Sequence, residues 1–228
     1  MTAVCVLYSH FSQPHSMRAR LALLMAGIHC ELREVDPANP PIAVSHIPLL
    51  QLPSGKLIDD SFAIAQWASA RRPQLELWPS ARVRQQSIEN LVRIIDGPFA
   101  DACQLYANAV AAKHPNALNR RGDAEIFLAQ LEARLARKPF LVGDEETLAD
   151  IAVLPFIHQF AEIDRTWFDI SPYRQLRAWL GSYREHPEWQ QTLRYGPRWR
   201  PDAQPVFLEL NNGRRALHNF FRRQRCAA

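Results

Sequence analysis

Hydrophobic positions along the first third of the chain alternate between two periods. Residues 3–8 alternate in the way that is typical of a half-buried strand. After a polar loop, apolar residues recur at helical spacing from Met17 to Met25, and Gly27 suits the residue after a helix end. Residues 30–35 alternate again. This pattern predicts a β-α-β unit.

A second unit follows over residues 46–64. Residues 49–52 form a short, mostly apolar run, Pro53-Ser54-Gly55 is a turn tripeptide, and residues 56–58 read as the return strand. Ser61 stands where a helix N-cap is expected, directly before a helical pattern of apolar residues. The stretch therefore predicts strand, tight turn, strand and helix.

Two features of this stretch are not required by an ordinary β-hairpin. Pro48 opens the first strand, where its missing N–H weakens a ladder of hydrogen bonds. Asp60 and Ser61 place an acid and a hydroxyl at a helix start, where free backbone N–H groups attract anions. An ordinary hairpin followed by a capped helix remains the alternative interpretation.

The second half of the chain is predicted to be all-helical. Residues 71–80 form a proline-containing linker, and apolar residues at helical spacing from Ile88 to Leu105 predict a long helix bent near Gly97. Thr147 and Asp150 have the spacing of a capping box, with Asp in place of Glu. They predict the start of a further helix.

Composition narrows the class of protein. The chain has 228 residues, 47% hydrophobic and 22% charged, as globular proteins do. It has no apolar run near the roughly 20 residues that span a bilayer and no signal-peptide pattern. Four cysteines stand apart without CxxC or zinc spacing, so we expect a cytoplasmic protein without a metal.

The net charge of +4 is concentrated in the C-terminal tail. From Arg194 onward eight arginines face two acids, Asp202 and Glu209, a net of +6 that leaves −2 for the rest. No recognition motif accompanies this charge, so nucleic-acid binding is not expected. The tail, residues 201–228, is expected to pack over the helical domain.

The proline-opened hairpin with its Asp-Ser pair, together with residues 140–155, resembles the glutathione transferase family. The resemblance spans roughly residues 3–195. It implies an α/β thioredoxin-like N-terminal domain (residues 1–72), an all-α C-terminal domain (residues 80–200) and a basic extension (residues 201–228). It also implies a homodimer.

The resemblance implies a glutathione site, residue by residue. A cis bond between Ile47 and Pro48 presents the Ile47 backbone to the cysteinyl part of glutathione. Asp60 and Ser61 hold the γ-glutamyl carboxylate and amine. The bound partner is then glutathione, as substrate or ligand, together with a small hydrophobic electrophile.

The loop after the first strand departs from the bacterial branch that it resembles. That branch has a catalytic Cys directly before Pro14, whereas this chain has Gln13, which can contact glutathione but cannot form a mixed disulfide. Serine-type members place the catalytic hydroxyl at the position of Ser12, which could lower the pKa of the glutathione thiol. A cap or a loop hydroxyl is the plainer role for Ser12.

Neighbouring side chains complete the expected site. Phe11 and His15 are assigned to the second-substrate pocket, although a loop histidine, His10 or His15, is more often simply solvated. Residues 36–46 contain three prolines and no Lys matching the one that helps relatives bind the glycine end of glutathione, so that side looks trimmed.

Three functions stay open at this point: a glutathione-conjugating enzyme, a non-catalytic binding protein on the same fold, and an interaction protein that uses its basic tail. The family resemblance favours the first. The loss of the catalytic Cys position and of the glycine-end Lys favours the second. Fold alone does not decide among them.

Overall fold

A computed structural model describes residues 4–36 and 46–208 of the chain. The N-terminal part consists of the following elements: β1 (Cys5–Ser9), α1 (Pro14–Met25), β2 (Cys30–Glu34), β3 (Leu49–Gln51), β4 (Leu57–Ile58) and α2 (Ser61–Ser69). The predicted β-α-β unit followed by strand, strand and helix is confirmed. It is the thioredoxin-like topology.

Helices make up the second part of the described chain until its last strand. They are α3 (Arg82–Ile94), a π-helical turn (Ile95–Phe99), α4 (Ala100–Ala111), α5 (Ala117–Leu135), α6 (Leu148–Ile163), α7 (Arg165–Ile170), α8 (Arg174–Ser182) and α9 (Pro187–Thr192). The fold class, a thioredoxin-like domain followed by an all-α domain, is confirmed.

The sheet has the strand order β4-β3-β1-β2-β5, with β5 at Val206–Leu208. Strand β1 runs parallel to β2, with Cys5 opposite Cys30, and antiparallel to β3, with Leu7 opposite Leu50. The ends of β1 and β3 therefore bring the loop after β1 and the proline before β3 to the same edge of the sheet.

The core is built around two central helices. Helix α1 is buried from Ser16 to Leu24 because it packs against α2, α6 and α9. Helix α6 is buried from Leu148 to Ile157. Near Gly97, where a bend is predicted, the structure has a π-helical turn between α3 and α4. This turn contains Pro98, whose missing N–H interrupts the helical ladder.

Both helix caps are present, with one change of residue. The N-cap of α2 is Asp60, which accepts a hydrogen bond from the Ala63 N–H, so the prediction of Ser61 at this position is wrong. Ser61 is instead the first helical residue, and its hydroxyl is bonded inside the protein. The capping box formed by Thr147 and Asp150 at the start of α6 is confirmed.

The tail is placed differently from our expectation. Residues 206–208 do not pack over the helical domain but form strand β5, antiparallel to β2 in the N-terminal domain. The Trp199 N–H also donates to the Glu34 carbonyl at 2.8 Å. The physical reason is that β2 would otherwise expose an unpaired edge. Residues 209–228, with most of the tail arginines, lie outside the described residues.

One other expectation concerns residues that lie mainly outside the described chain. The trimmed segment that follows Asp36 lies mainly in residues 37–45, which are not described. Among the helices of the described residues, none is long and apolar enough to cross a membrane.

Candidate functional site

The pocket at the edge of the sheet is formed where three elements begin. The Ile47–Pro48 peptide bond directly before β3 is cis, as predicted. Next to it lies an open pocket with a volume of about 410 Å³. Its lining comes from the first turn of α1, the residues before β3 and the start of α2: His15, His46, Ile47, Pro48, Asp59, Asp60 and Ser61.

Asp60 stands at the mouth of this pocket and caps α2. Its Oδ1 accepts a hydrogen bond of 2.6 Å from the Ala63 N–H, and its side chain is exposed. A carboxylate has acceptor capacity on both oxygens, so one oxygen can cap the helix while the other faces a cationic group. The helix start adds free N–H groups that favour an anion close by.

Ser61 forms the inner side of the pocket and belongs to a buried network. It is only 2% exposed, and its Oγ accepts a hydrogen bond of 3.0 Å from Arg18 Nη1. Arg18 is fully buried and donates to both oxygens of Asp96, at 2.9 Å and 2.5 Å. It also donates to the Ala152 carbonyl in α6. The network therefore joins the pocket to the helical domain.

A second buried arginine on α1 anchors the loop after β1. Arg20 donates to Ser9 Oγ at 2.8 Å and forms an ion pair with Glu34, which also accepts the backbone N–H of Phe11. Buried charges are stable only when they are paired and hydrogen-bonded. The two arginines among the apolar positions of α1 are a sequence signal for both networks, but the pattern does not identify their partners.

The structure places the loop residues Phe11, Ser12 and Gln13 outside the lining of the pocket. Ser12 is exposed, and its Oγ lies 3.1 Å from His10 Nδ1. Gln13 is the N-cap residue of α1 but makes no side-chain capping bond, and the ring of Phe11 meets Tyr195 at 4.8 Å. Among the predicted site residues, the pocket thus brings together Ile47, Pro48, Asp60, Ser61 and His15.

His15 is the titratable residue of α1 that lines the pocket. Its Nε2 lies 3.5 Å from Asp96 Oδ1, and its ring meets the Phe156 ring edge-on at 4.9 Å. Burial and the nearby Arg18 lower the pKa of His15, while Asp96 and Asp60 act in the opposite direction. The net lowering favours a neutral imidazole.

Among the residues that the structure describes, no group of three or more His, Cys, Asp and Glu side chains is placed so that it could hold a metal ion. The pocket itself presents a cis peptide, a capped helix start, two histidines and two carboxylates.

Fold and pocket together define a class: a thioredoxin-like domain with a cis-proline pocket, carried on an all-helical domain. A family model described as "Glutathione S-transferase, C-terminal domain" matches residues 119–182. A glutathione S-transferase of Triticum aestivum is 26% identical over 215 residues, which cover 89% of this chain and 97% of that relative. The chain is thus similar in sequence to glutathione transferases.

Two further similarities extend this result. The maleylacetoacetate isomerase of Rattus norvegicus is 28% identical over 188 residues, 74% of this chain and 82% of that protein. The crystal structure of a glutathione S-transferase from Methylobacillus flagellatus, with glutathione bound, superimposes with a TM-score of 0.69 at 20% identity. It covers 82% of this chain and 98% of the other. The structural likeness supports the fold.

Proposed function

We propose that the pocket binds glutathione and that the protein conjugates it to a small hydrophobic electrophile. The observation that carries the proposal is one pocket in which the cis Ile47–Pro48 bond faces the Asp60-capped start of α2. A bound glutathione in a structural relative supports the same ligand.

The γ-glutamyl and cysteinyl parts of glutathione each have a partner in the pocket. The γ-glutamyl amine pairs with the exposed carboxylate of Asp60, and the γ-glutamyl carboxylate meets the start of α2, where N–H groups and the Ser61 hydroxyl favour an anion. The backbone of Ile47 pairs with the cysteinyl unit, as two strands pair in a sheet.

The reaction that follows is attack by the glutathione sulfur on the electrophile. A carbon–sulfur bond forms while the leaving group departs with its electron pair. We assign Ser12 the role of donating a hydrogen bond to the thiolate, with Gln13 contacting glutathione and Phe11 and His15 facing the second substrate. Because Gln13 supplies no sulfur, the loop forms no mixed disulfide.

A titration and a rate measurement test this function together. Wild type should bind glutathione and turn over an electrophile. One hydrogen bond to a charged group is worth about 1.5–3 kcal/mol, so Ser12→Ala should lower conjugation roughly 10- to 150-fold with little change in glutathione affinity. Ser54→Ala, in the exposed turn between β3 and β4, is the matched control.

The alternatives have distinct outcomes in the same experiment. If wild type binds glutathione but turns over no electrophile, and Ser12→Ala changes nothing, the protein is a non-catalytic binding protein. The position of Ser12 outside the pocket lining favours this second function. If wild type does not bind glutathione at millimolar concentration, both proposals fail.

An isomerase activity is a further candidate because one group of relatives carries the name maleylacetoacetate isomerase. In such a reaction the glutathione sulfur adds to a carbon–carbon double bond and leaves again after rotation, so glutathione is regenerated. Stoichiometry separates the two reactions: conjugation consumes one glutathione for each product, whereas isomerisation consumes none.

The homodimer implied by the family resemblance remains a prediction. Light scattering at micromolar concentration measures it directly. A species of twice the 26.1 kDa chain mass is expected, and a species of 26.1 kDa alone would contradict it.

A further inference from the structure

The pocket contains a base that the proposed function leaves without a chemical role. We infer that His15 accepts the proton of the glutathione thiol and that Asp96 acts as the positioning residue for its ring. This inference rests on the proposed glutathione site and adds the group that generates the thiolate.

The geometry favours one ring nitrogen of His15 as the acceptor. Asp96 Oδ1 lies 3.5 Å from Nε2, and the Phe156 ring packs against the imidazole from α6. A carboxylate beside Nε2 favours the tautomer that carries its proton there, which leaves the Nδ1 lone pair available.

Asp96 is held in place by Arg18. Arg18, which is fully buried, donates to both of its oxygens, and the Asp96 side chain itself is 27% exposed. A paired, oriented carboxylate fixes the ring of the histidine next to it. Arg18 thus holds Asp96, and Asp96 orients His15, which is the base. Other enzymes activate nucleophiles with the same arrangement of an orienting group and a base.

The charges around His15 come from three elements. Arg18 faces it from α1, Asp96 from the π-helical turn and Asp60 from the start of α2, while His46 and Asp59 complete the pocket. Burial and Arg18 lower the pKa of His15 against the effect of the two acids, so the imidazole is neutral at pH 7 and can receive a proton. Once protonated, it is stabilised by Asp96 and Asp60.

The proton and the electrons balance in a short sequence. The thiol S–H bond breaks and an N–H bond forms on His15 Nδ1, leaving a thiolate beside an imidazolium. The thiolate forms the carbon–sulfur bond, and the leaving group takes the electron pair of the bond that breaks. The imidazolium then releases its proton to water, which restores the neutral ring.

The substitution His15→Gln tests this assignment, because glutamine keeps a polar side chain but cannot take up the proton. Glutathione affinity, measured by calorimetric titration, should stay within about twofold, since the γ-glutamyl contacts are unchanged. The pKa of the bound thiol, read from thiolate ultraviolet absorbance against pH, should rise by about one unit or more. Conjugation should fall about 100-fold.

Two controls separate the chemistry from folding. His114→Gln, on the exposed turn after α4, should leave all three quantities unchanged. In wild type, NMR titration of the His15 ring should show that glutathione binding converts it to imidazolium near neutral pH. This second measurement does not depend on the folding of any variant.

The outcomes distinguish this inference from the proposal beneath it. Two results would overturn the role of His15 while leaving glutathione binding intact. One is an unchanged thiol pKa in His15→Gln, and the other is a His15 ring that stays neutral in the wild-type complex while the bound thiol ionises. A wild type that binds no glutathione overturns the proposed function first, and this inference with it.

Discussion

The N-terminal ends of α2 and α6 each contain an aspartate that accepts backbone N–H groups, as the N-cap residue Asp60 in α2 and as the third helical residue Asp150 in α6. At α2, Asp60 is exposed and accepts one described hydrogen bond, from the Ala63 N–H. At α6, Asp150 is fully buried and accepts from the N–H of Leu141, the N–H and hydroxyl of Thr147, and the indole of Trp179. One helix start thus carries a carboxylate that lines a pocket, and the other carries a carboxylate that is enclosed by protein.

The two aspartates differ in burial as well as in their position at the helix start, and burial decides whether a carboxylate is accessible or enclosed. A carboxylate whose neighbours are all protein groups stabilises the fold, because losing it leaves several buried donors without a partner. An exposed carboxylate at a helix start contributes less to stability and remains accessible to a ligand. Each prediction below changes one of the two starts.

The largest effect is expected at α6. Asp150→Ala leaves the buried donors from Leu141, Thr147 and Trp179 unsatisfied, and breaking such a network costs about 3–5 kcal/mol of unfolding free energy. Asp150→Asn, which keeps one acceptor oxygen, should lose clearly less. Urea unfolding measures both, and equal stability of Asp150→Ala and wild type would contradict the account.

A smaller effect concerns pH at the same helix start. Glu146 receives a 2.7 Å hydrogen bond from the hydroxyl of the buried Tyr183, and burial raises the pKa of Glu146 from 4.5 to about 8. Burial likewise raises the pKa of Asp150 from 3.8 to about 6. The folded state therefore holds protons that the unfolded state has released.

The sign of the pH dependence follows. The stabilisation is fully present below the unfolded pKa of 4.5 and is lost as the pH rises through about 8. The free energy of unfolding should fall over this range by an amount on the order of a few kcal/mol. Glu146→Gln should flatten the dependence of the unfolding free energy on pH. Glu145→Gln, at the exposed neighbouring residue, should leave that dependence unchanged. An unchanged slope in Glu146→Gln would count against a protonated Glu146.

The smallest change in stability is expected at α2. Asp60→Ala removes the cap and should cost about 1 kcal/mol, while Asp60→Asn should cost almost nothing because asparagine caps as well as aspartate. Asp59→Ala, one residue earlier in the exposed stretch, is the control. Thermal unfolding of wild type and the three variants measures these changes in stability. A loss of stability in Asp60→Ala as large as that in Asp150→Ala would contradict the contrast between the two helix starts.

Local features of both starts could be predicted from the sequence. The strand-opening Pro48, the hairpin turn and the spacing of Thr147 and Asp150 act within a few residues, so the sequence pattern contains them. The cap was misassigned by one residue, from Asp60 to Ser61, because either side chain can cap a helix and only the backbone decides which does.

Long-range partners could not be predicted in the same way. Arg18 contacts Ser61 and Asp96, which lie 43 and 78 residues away along the chain, and no local pattern announces such pairs. Strand β5 was missed because Val206–Leu208 is short and its pairing depends on the open edge of β2. Whether Ser12 lines the pocket depends on the shape of a loop, which composition does not specify.

The central claim is that the exposed Asp60 binds the γ-glutamyl end of glutathione. Calorimetric titration of glutathione and of cysteinylglycine, which lacks that end, into wild type and Asp60→Asn tests it most directly. Wild type should prefer glutathione roughly 10- to 150-fold, the worth of one charge-assisted hydrogen bond, and Asp60→Asn should lose most of that preference while remaining folded. Equal affinity of wild type for both peptides, or an undiminished preference in Asp60→Asn, would contradict the account.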